Sequence, residues 1–281
     1  MSTQAANSST NKSAMEWNRA FFHAGVIGVL AIVVGQILPF TEQEKIAWAQ
    51  RVGWTLTLID VLVRIPLYHF FVKGREHETR PWRVSVKKKF LICEKPLLRF
   101  GLIREDSERE FPTTVVHATL GILLSIGIGL PLWSVVPAVL IFGFGDPAAR
   151  LVGVRIGGRL FWKRGSKKTW SGVLGYFYVG GFTGLLTVFL QTQYPLYPPH
   201  IFSPGRIVVA VLVTAAVGAF FESMCEKDGT WFSKMFDDNL VVPFVGSVAF
   251  YAIATAGTMG TEADRYPQGS VGIRFYIHFQ V

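Results

Sequence analysis

The feature that most constrains this chain is the recurrence of apolar runs near the length of a bilayer crossing. Phe21–Phe40, Val52–Val72, Thr113–Leu130, Thr169–Leu190, Ile207–Phe221 and Leu240–Ala256 follow one another with polar segments between them. A helix rises 1.5 Å per residue, so about 20 apolar residues cross a hydrocarbon core of about 30 Å. Lipid offers the backbone no hydrogen-bond partner, so such segments must be helices that satisfy themselves. A further run, Leu132–Phe144, holds only 13 residues, about 20 Å of helix. Either its helix runs on through Asp146 towards Gly157, or it breaks inside the membrane. The expected fold is all-α, a polytopic membrane bundle of about seven transmembrane helices.

Composition agrees with this reading. Half of the 281 residues are hydrophobic and 17% are charged, which is not the make-up of a soluble enzyme. The net charge of +9 would point a soluble protein towards nucleic acid. Here the basic residues are confined to segments between apolar runs, so the expected partner is an anionic bilayer and not a nucleic acid. The loop from Lys73 to Arg109 holds eleven of them and Arg150 to Lys168 holds seven, against two in Thr41–Arg51 and one in Gln191–Arg206. With seven spans this asymmetry places the N-terminus in the cytosol and the C-terminus opposite. Cys93 and Cys225 lack a CxxC or histidine-rich setting, so no disulfide framework or zinc site is expected.

Three regions follow: a polar tail at 1–18, a membrane-embedded unit at 19–258, and a tail at 259–281. The polar tail lacks the basic region of a signal peptide, and the first apolar run is read as retained. Within the membrane unit, 73–110 interleaves Lys87, Lys88 and Lys89 with Trp82, Phe90 and Ile92, and Pro96 interrupts it. It reads as one or two amphipathic helices in the interface. In the tail, Val271, Ile273, Phe275, Ile277 and Phe279 alternate with polar residues. A lone strand is not stable, so pairing with a second copy or lying on the membrane surface both stay open.

Asp146 is the pivot of the polar residues. It ends an apolar run, where an ionised carboxylate costs about 2.5–3.5 kcal/mol without a partner. If Pro147 opens a turn or a new helical segment, Asp146, Ala149, Gly153 and Gly157 share a face on which a neighbouring helix can approach closely. Seven basic residues follow, and then Thr169, Ser171 and Gly172 open the next run, a helix start able to receive phosphate beside Lys167 and Lys168. Asp60 and Arg64 lie four apart inside the second run, as either a neutralised structural pair or a catalytic acid with its orienting partner. Arg19 and His23 stand four apart at the first run. The charge-based orientation gathers Asp146, Lys167, Glu222, Asp237, Asp238 and Asn239 at the cytosolic helix ends, with Asp60 approaching from within the bilayer. Acids beside a basic, phosphate-ready loop suit Mg²⁺ and a polyphosphate.

These residues, in this order over roughly 19 to 256, resemble the CTP-dependent lipid kinases: dolichol kinase, phytol kinase and the yeast-type diacylglycerol kinase. The matching segments are Arg19-Ala-Phe-Phe-His23, Asp60-Val-Leu-Val-Arg64, Gly145-Asp146-Pro-Ala-Ala149 with Gly153 and Gly157, Lys168-Thr-Trp-Ser-Gly172, Glu222, and Asp238-Asn239-Leu240. Ala20 stands where many members carry a base, and the segment between Glu222 and Asp238 is longer than usual. The acid that members place before the third span is Glu105, Glu108 or Glu110.

The resemblance implies transfer of the γ-phosphoryl of CTP to a lipid alcohol. It implies that Asp146 and Asp238 bind Mg²⁺ or position the hydroxyl, and that Asp60 and Glu222 belong to the catalytic group. Lys167, Lys168, Thr169, Ser171, Gly172, Asn239, Arg64, Arg19 and His23 would then serve the nucleotide. A CTP:phosphatidate cytidylyltransferase is the nearer alternative. A transporter is the more distant one, since the chain shows no internal repeat and its polar groups gather at one face.

Overall fold

A computed structural model describes residues 40–73, 80–99, 113–161, 168–192, 203–224 and 237–256. The run Phe21–Phe40 before its last residue, Arg19, His23, Glu105, Glu108, Glu110, Lys167, Cys225 and the tail strand lie outside the described residues. The described residues are helical. The helices are α1 (Glu42–Phe71), α2 (Pro81–Arg99), α3 (Thr114–Gly127), α4 (Leu132–Ile156), α5 (Trp170–Thr192), α6 (Pro204–Met224) and α7 (Asp238–Thr255). Five of them, α1, α4, α5, α6 and α7, are long and apolar enough to cross a membrane. The third expected span is helical over only 14 residues in α3.

Helix α4 is the hub. Leu140, Ile141 and Phe142 are each 1% exposed, and α4 packs against α5, α6 and α7. Of the two courses open for Leu132–Phe144, the first holds: the helix runs on through Asp146 to Ile156, and Gly157 caps it with a φ of +63°. Pro147 therefore opens no turn and no new segment.

Glycines bring α5 onto α4. A Cβ at Gly172 would lie 2.8 Å from the Ala149 carbonyl oxygen, and one at Gly175 would lie 2.8 Å from Val152. The backbones are thus in direct contact, as small-residue stripes allow in membranes. Along the same pair, Gly180 and Gly184 receive Ile141. On another flank, Gly121 of α3 faces the Leu240 carbonyl of α7, 2.5 Å from where its Cβ would be.

The helix directions follow from end contacts. Trp133 at the start of α4 stacks on Phe250 and Tyr251 late in α7, so the two helices run antiparallel. The Leu132 amide at the same end donates to Glu42 at the start of α1 (3.0 Å). Buried hydroxyls turn back on their own helices, as Ser125 does to the Gly121 carbonyl (2.9 Å) and Ser247 to that of Pro243 (2.7 Å). Outward faces are apolar, with Leu62, Tyr178, Phe182 and Phe189 each more than 60% exposed.

Of the one or two helices expected in the basic segment, the described residues show one, α2, continuous through Pro96. Within α1, Asp60–Arg64 is a π-turn, in which the Ile65 amide donates to the Asp60 carbonyl. Pro66 accounts for it, because it has no N–H to offer and its ring needs the extra width.

Candidate active site

Three carboxylates meet where α6 ends and α7 begins, beside the middle of α4. One oxygen each of Asp146 (α4), Glu222 (α6) and Asp238 (α7) lies within 4.8 Å of the others. Glu222 is 2% exposed and Asp238 6% exposed. Antiparallel packing brings them together: α6 ends here, α7 starts here, and α4 passes both on its way to Ile156.

Lys168 joins from the segment before α5 and pairs with Glu222 through Nζ and Oε1. Burial works to lower its pKa, but the negative charges of Glu222, Asp238 and Asp146 outweigh it, so the ammonium is held above the ordinary lysine value. The backbone fixes the position of Lys168. The strand-like pair Leu160–Thr169, with Phe161 N–H donating to the Lys168 carbonyl (2.8 Å) and Trp170 N–H to that of Arg159 (3.1 Å), closes the connection between α4 and α5. Gly157 and Gly158 make this return possible with φ of +63° and +104°, a region that costs a side-chain-bearing residue energy.

Asn239 organises the acids of α7. Its side-chain amide donates to both oxygens of Asp237 (2.8 and 2.9 Å) and to Asp238 Oδ1 (2.9 Å). Its backbone N–H donates to Asp237 Oδ1 (2.6 Å), which makes Asp237 the N-cap of α7. These carboxylates set the orientation of the amide, since a reversed amide would face oxygen with oxygen. Asn239 Oδ1 then points elsewhere, fully buried and without a hydrogen-bond partner among the described residues.

The expected phosphate-receiving start of α5 is occupied by the chain itself. Gly172 N–H donates to the Thr169 hydroxyl (3.2 Å), Val173 N–H to the Thr169 carbonyl (3.1 Å), and Trp170 N–H is taken by Arg159. The Ser171 hydroxyl donates to the Gly157 carbonyl. Gly172 serves helix packing.

Asp60 and Arg64 form a separate group. They pair with each other, Asp60 Oδ2 accepts from the Thr113 N–H at the start of α3 (2.8 Å), and Arg64 Nη1 lies 3.8 Å from buried Glu94. Asp60 is not part of the three-carboxylate cluster.

Sequence reasoning gathered Asp237 with the acids of this end without giving it a role of its own, and it did not single out Tyr176. The Asp-Asp-Asn run before an apolar segment is a legible helix start. Tyr176 had no such signal. Comparison with family models, with curated proteins and with solved structures found no match to this chain.

Proposed function

We propose that the protein is a membrane lipid kinase that transfers the γ-phosphoryl of CTP to the hydroxyl of a lipid alcohol. The observation that supports it is the meeting of Asp146, Glu222 and Asp238 with Lys168 at one end of an apolar bundle. Three carboxylates at this spacing form an oxygen-only donor set, which suits a hard cation such as Mg²⁺. Asp146, Glu222 and Asp238 would hold it, and when bound it would neutralise charge on the transferring phosphoryl. Lys168, with Lys167, would draw the polyphosphate to the acids. Asn239 keeps Asp237 and Asp238 in register and has an acceptor to offer cytosine's amine, whereas the Ser171 hydroxyl is committed to Gly157. A carboxylate of the cluster takes the proton of the attacking alcohol, and positioning supplies most of the rest.

In this reading Phe21–Phe40 and α3 complete seven spans, α2 lies in the interface, and the site faces the cytosol. Single cysteines at Ser166 and Thr192 in a Cys-free background will then label from opposite sides of intact membranes. Labelling from one side would disperse the site. The activity is tested with CTP labelled at the α- or γ-phosphate against phytol, dolichol and dioleoylglycerol. The expected result is γ-label in the lipid and free CDP, with CTP preferred over ATP. An α-label in the lipid with release of pyrophosphate would assign a cytidylyltransferase, and transfer of neither label would end the enzymatic reading.

A further inference from the structure

One polar group beside the acids has no role in the scheme so far. Tyr176 on α5 is 0% exposed, and its hydroxyl has no hydrogen-bond partner among the described residues. A buried hydroxyl without a partner is destabilising relative to phenylalanine, which fills the same volume. The fold nevertheless makes room for it. A Cβ at Gly145 would stand 2.8 Å from the ring, and one at Gly218 would stand 2.7 Å from the hydroxyl oxygen.

Those glycines locate the hydroxyl. Gly145 directly precedes Asp146, and Gly218 lies one turn before Glu222 on α6, about 6 Å deeper in the bundle. Lys168 reaches the same acids from the opposite direction, from the connection outside the spans. The carboxylates therefore sit between a cation on the outer side and an unsatisfied hydroxyl on the inner side.

In-line phosphoryl transfer needs its entering and leaving oxygens on opposite sides of phosphorus. Resting on the lipid-kinase reading, we propose that Tyr176 binds the hydroxyl oxygen of the acceptor lipid, so that nucleotide phosphates enter on the Lys168 side and the alcohol on the Tyr176 side. The Tyr176 O–H donates to the alcohol oxygen, whose own O–H donates to a carboxylate of the cluster. One lone pair then faces the γ-phosphorus. The new O–P bond forms as the bond from the γ-phosphorus to the bridging oxygen breaks. That electron pair leaves on the nucleoside diphosphate, and the alcohol proton passes to the carboxylate. An apolar acceptor suits this side, since its hydroxyl is the one group that needs a partner there.

The test uses the full chain in phosphatidylcholine nanodiscs, with Tyr176→Phe, Lys168→Met and wild type. The readouts are Tm, kcat and KM for both substrates, and nucleotide-free binding of phytol against its deoxy hydrocarbon. Tyr176→Phe is expected to keep or raise Tm and to lower kcat/KM for the alcohol about tenfold, the worth of one hydrogen bond. It is also expected to lose the preference for phytol over the hydrocarbon, while KM for CTP stays unchanged. Lys168→Met should move KM for CTP instead. A Tyr176→Phe protein with lowered Tm and intact alcohol kinetics would make the hydroxyl structural and overturn the proposal, as would an equal shift in both KM values. Failure of the underlying reading would show earlier and separately, as absence of transfer by wild type.

Discussion

Two groups of buried charge lie in this bundle, and their composition differs in kind. Asp60 and Arg64 share one helix four residues apart, and Asp60 also accepts the Thr113 amide at the start of α3. Glu94 of α2 lies beside the same guanidinium, so the group holds one cation between two acids and ties α1 to α2 and α3. Asp146, Glu222 and Asp238 come from three helices, and Lys168 pairs with Glu222 among them. Burying charge is costly wherever it occurs in a membrane, so acids tied to a guanidinium on their own helix and to a helix-start amide read as structure. Acids drawn to one point from three helices read as a place built for something to arrive.

The largest expected effect falls on the Asp60–Arg64 group. Arg64→Met removes the cation from buried Asp60 and should destabilise the protein by about 3–5 kcal/mol, read as thermal unfolding in detergent. The triple variant Asp60→Asn, Arg64→Met, Glu94→Gln removes all three charges and keeps an acceptor for Thr113. It should recover to within about 1 kcal/mol of wild type, because neutral substitutes for buried ion pairs are often tolerated. If it also keeps turnover, the two groups are distinct; a folded but inactive triple variant would merge them.

The three-carboxylate group should respond in the opposite way. Asp146→Asn is nearly isosteric and relieves repulsion, so stability should hold or rise while phosphoryl transfer falls on the order of 10²-fold or more. Wild-type rates at saturating Mg²⁺ would remove Asp146 from the reaction. Gly218→Ala pushes a methyl group onto Tyr176 and should cost about 1–3 kcal/mol. Adding Tyr176→Phe should return part of that cost, since the hydroxyl oxygen is the nearest atom at 2.7 Å.

The smallest effect concerns pH. The folded pKa of Lys168 lies above its ordinary 10.5, so its contribution is complete below that value and is lost as pH rises through the higher folded one. The Tm difference between wild type and Lys168→Met should therefore persist to about pH 10 and narrow only beyond it. Narrowing near pH 8 would mean that the acids do not hold the ammonium.

Much of this site was legible because its residues mark the ends of apolar runs. Asp146, Glu222 and Asp238 each stand where an apolar run stops, and the structure brings these three positions together. The course of α4 was open in the sequence, since proline costs a helix energy without forbidding it. The π-turn at Asp60 leaves no mark in the apolar pattern. Tyr176 was hidden for a related reason. Among 23 phenylalanines and 8 tyrosines, one aromatic in an apolar run carries no signal, and the glycines that receive it belong to other helices. The start of α5 shows the converse: its Thr-Trp-Ser-Gly pattern advertises free amides, but tertiary neighbours and its own cap had already taken them.

The glycine contact between α4 and α5 also bears on traffic. With Gly172 against the Ala149 carbonyl, Gly175 against Val152, and Gly180 and Gly184 enclosing Ile141, these helices touch along most of their shared length. Parting them would strip backbone from backbone along the whole seam, so the pair moves as one plank. Under the proposed function, a lipid acceptor bound for Tyr176 would have to pass by another route, along a seam where side chains rather than backbones meet. The doorway and the wall are thus assigned to different helices, and a crosslink between α4 and α5 should leave entry untouched.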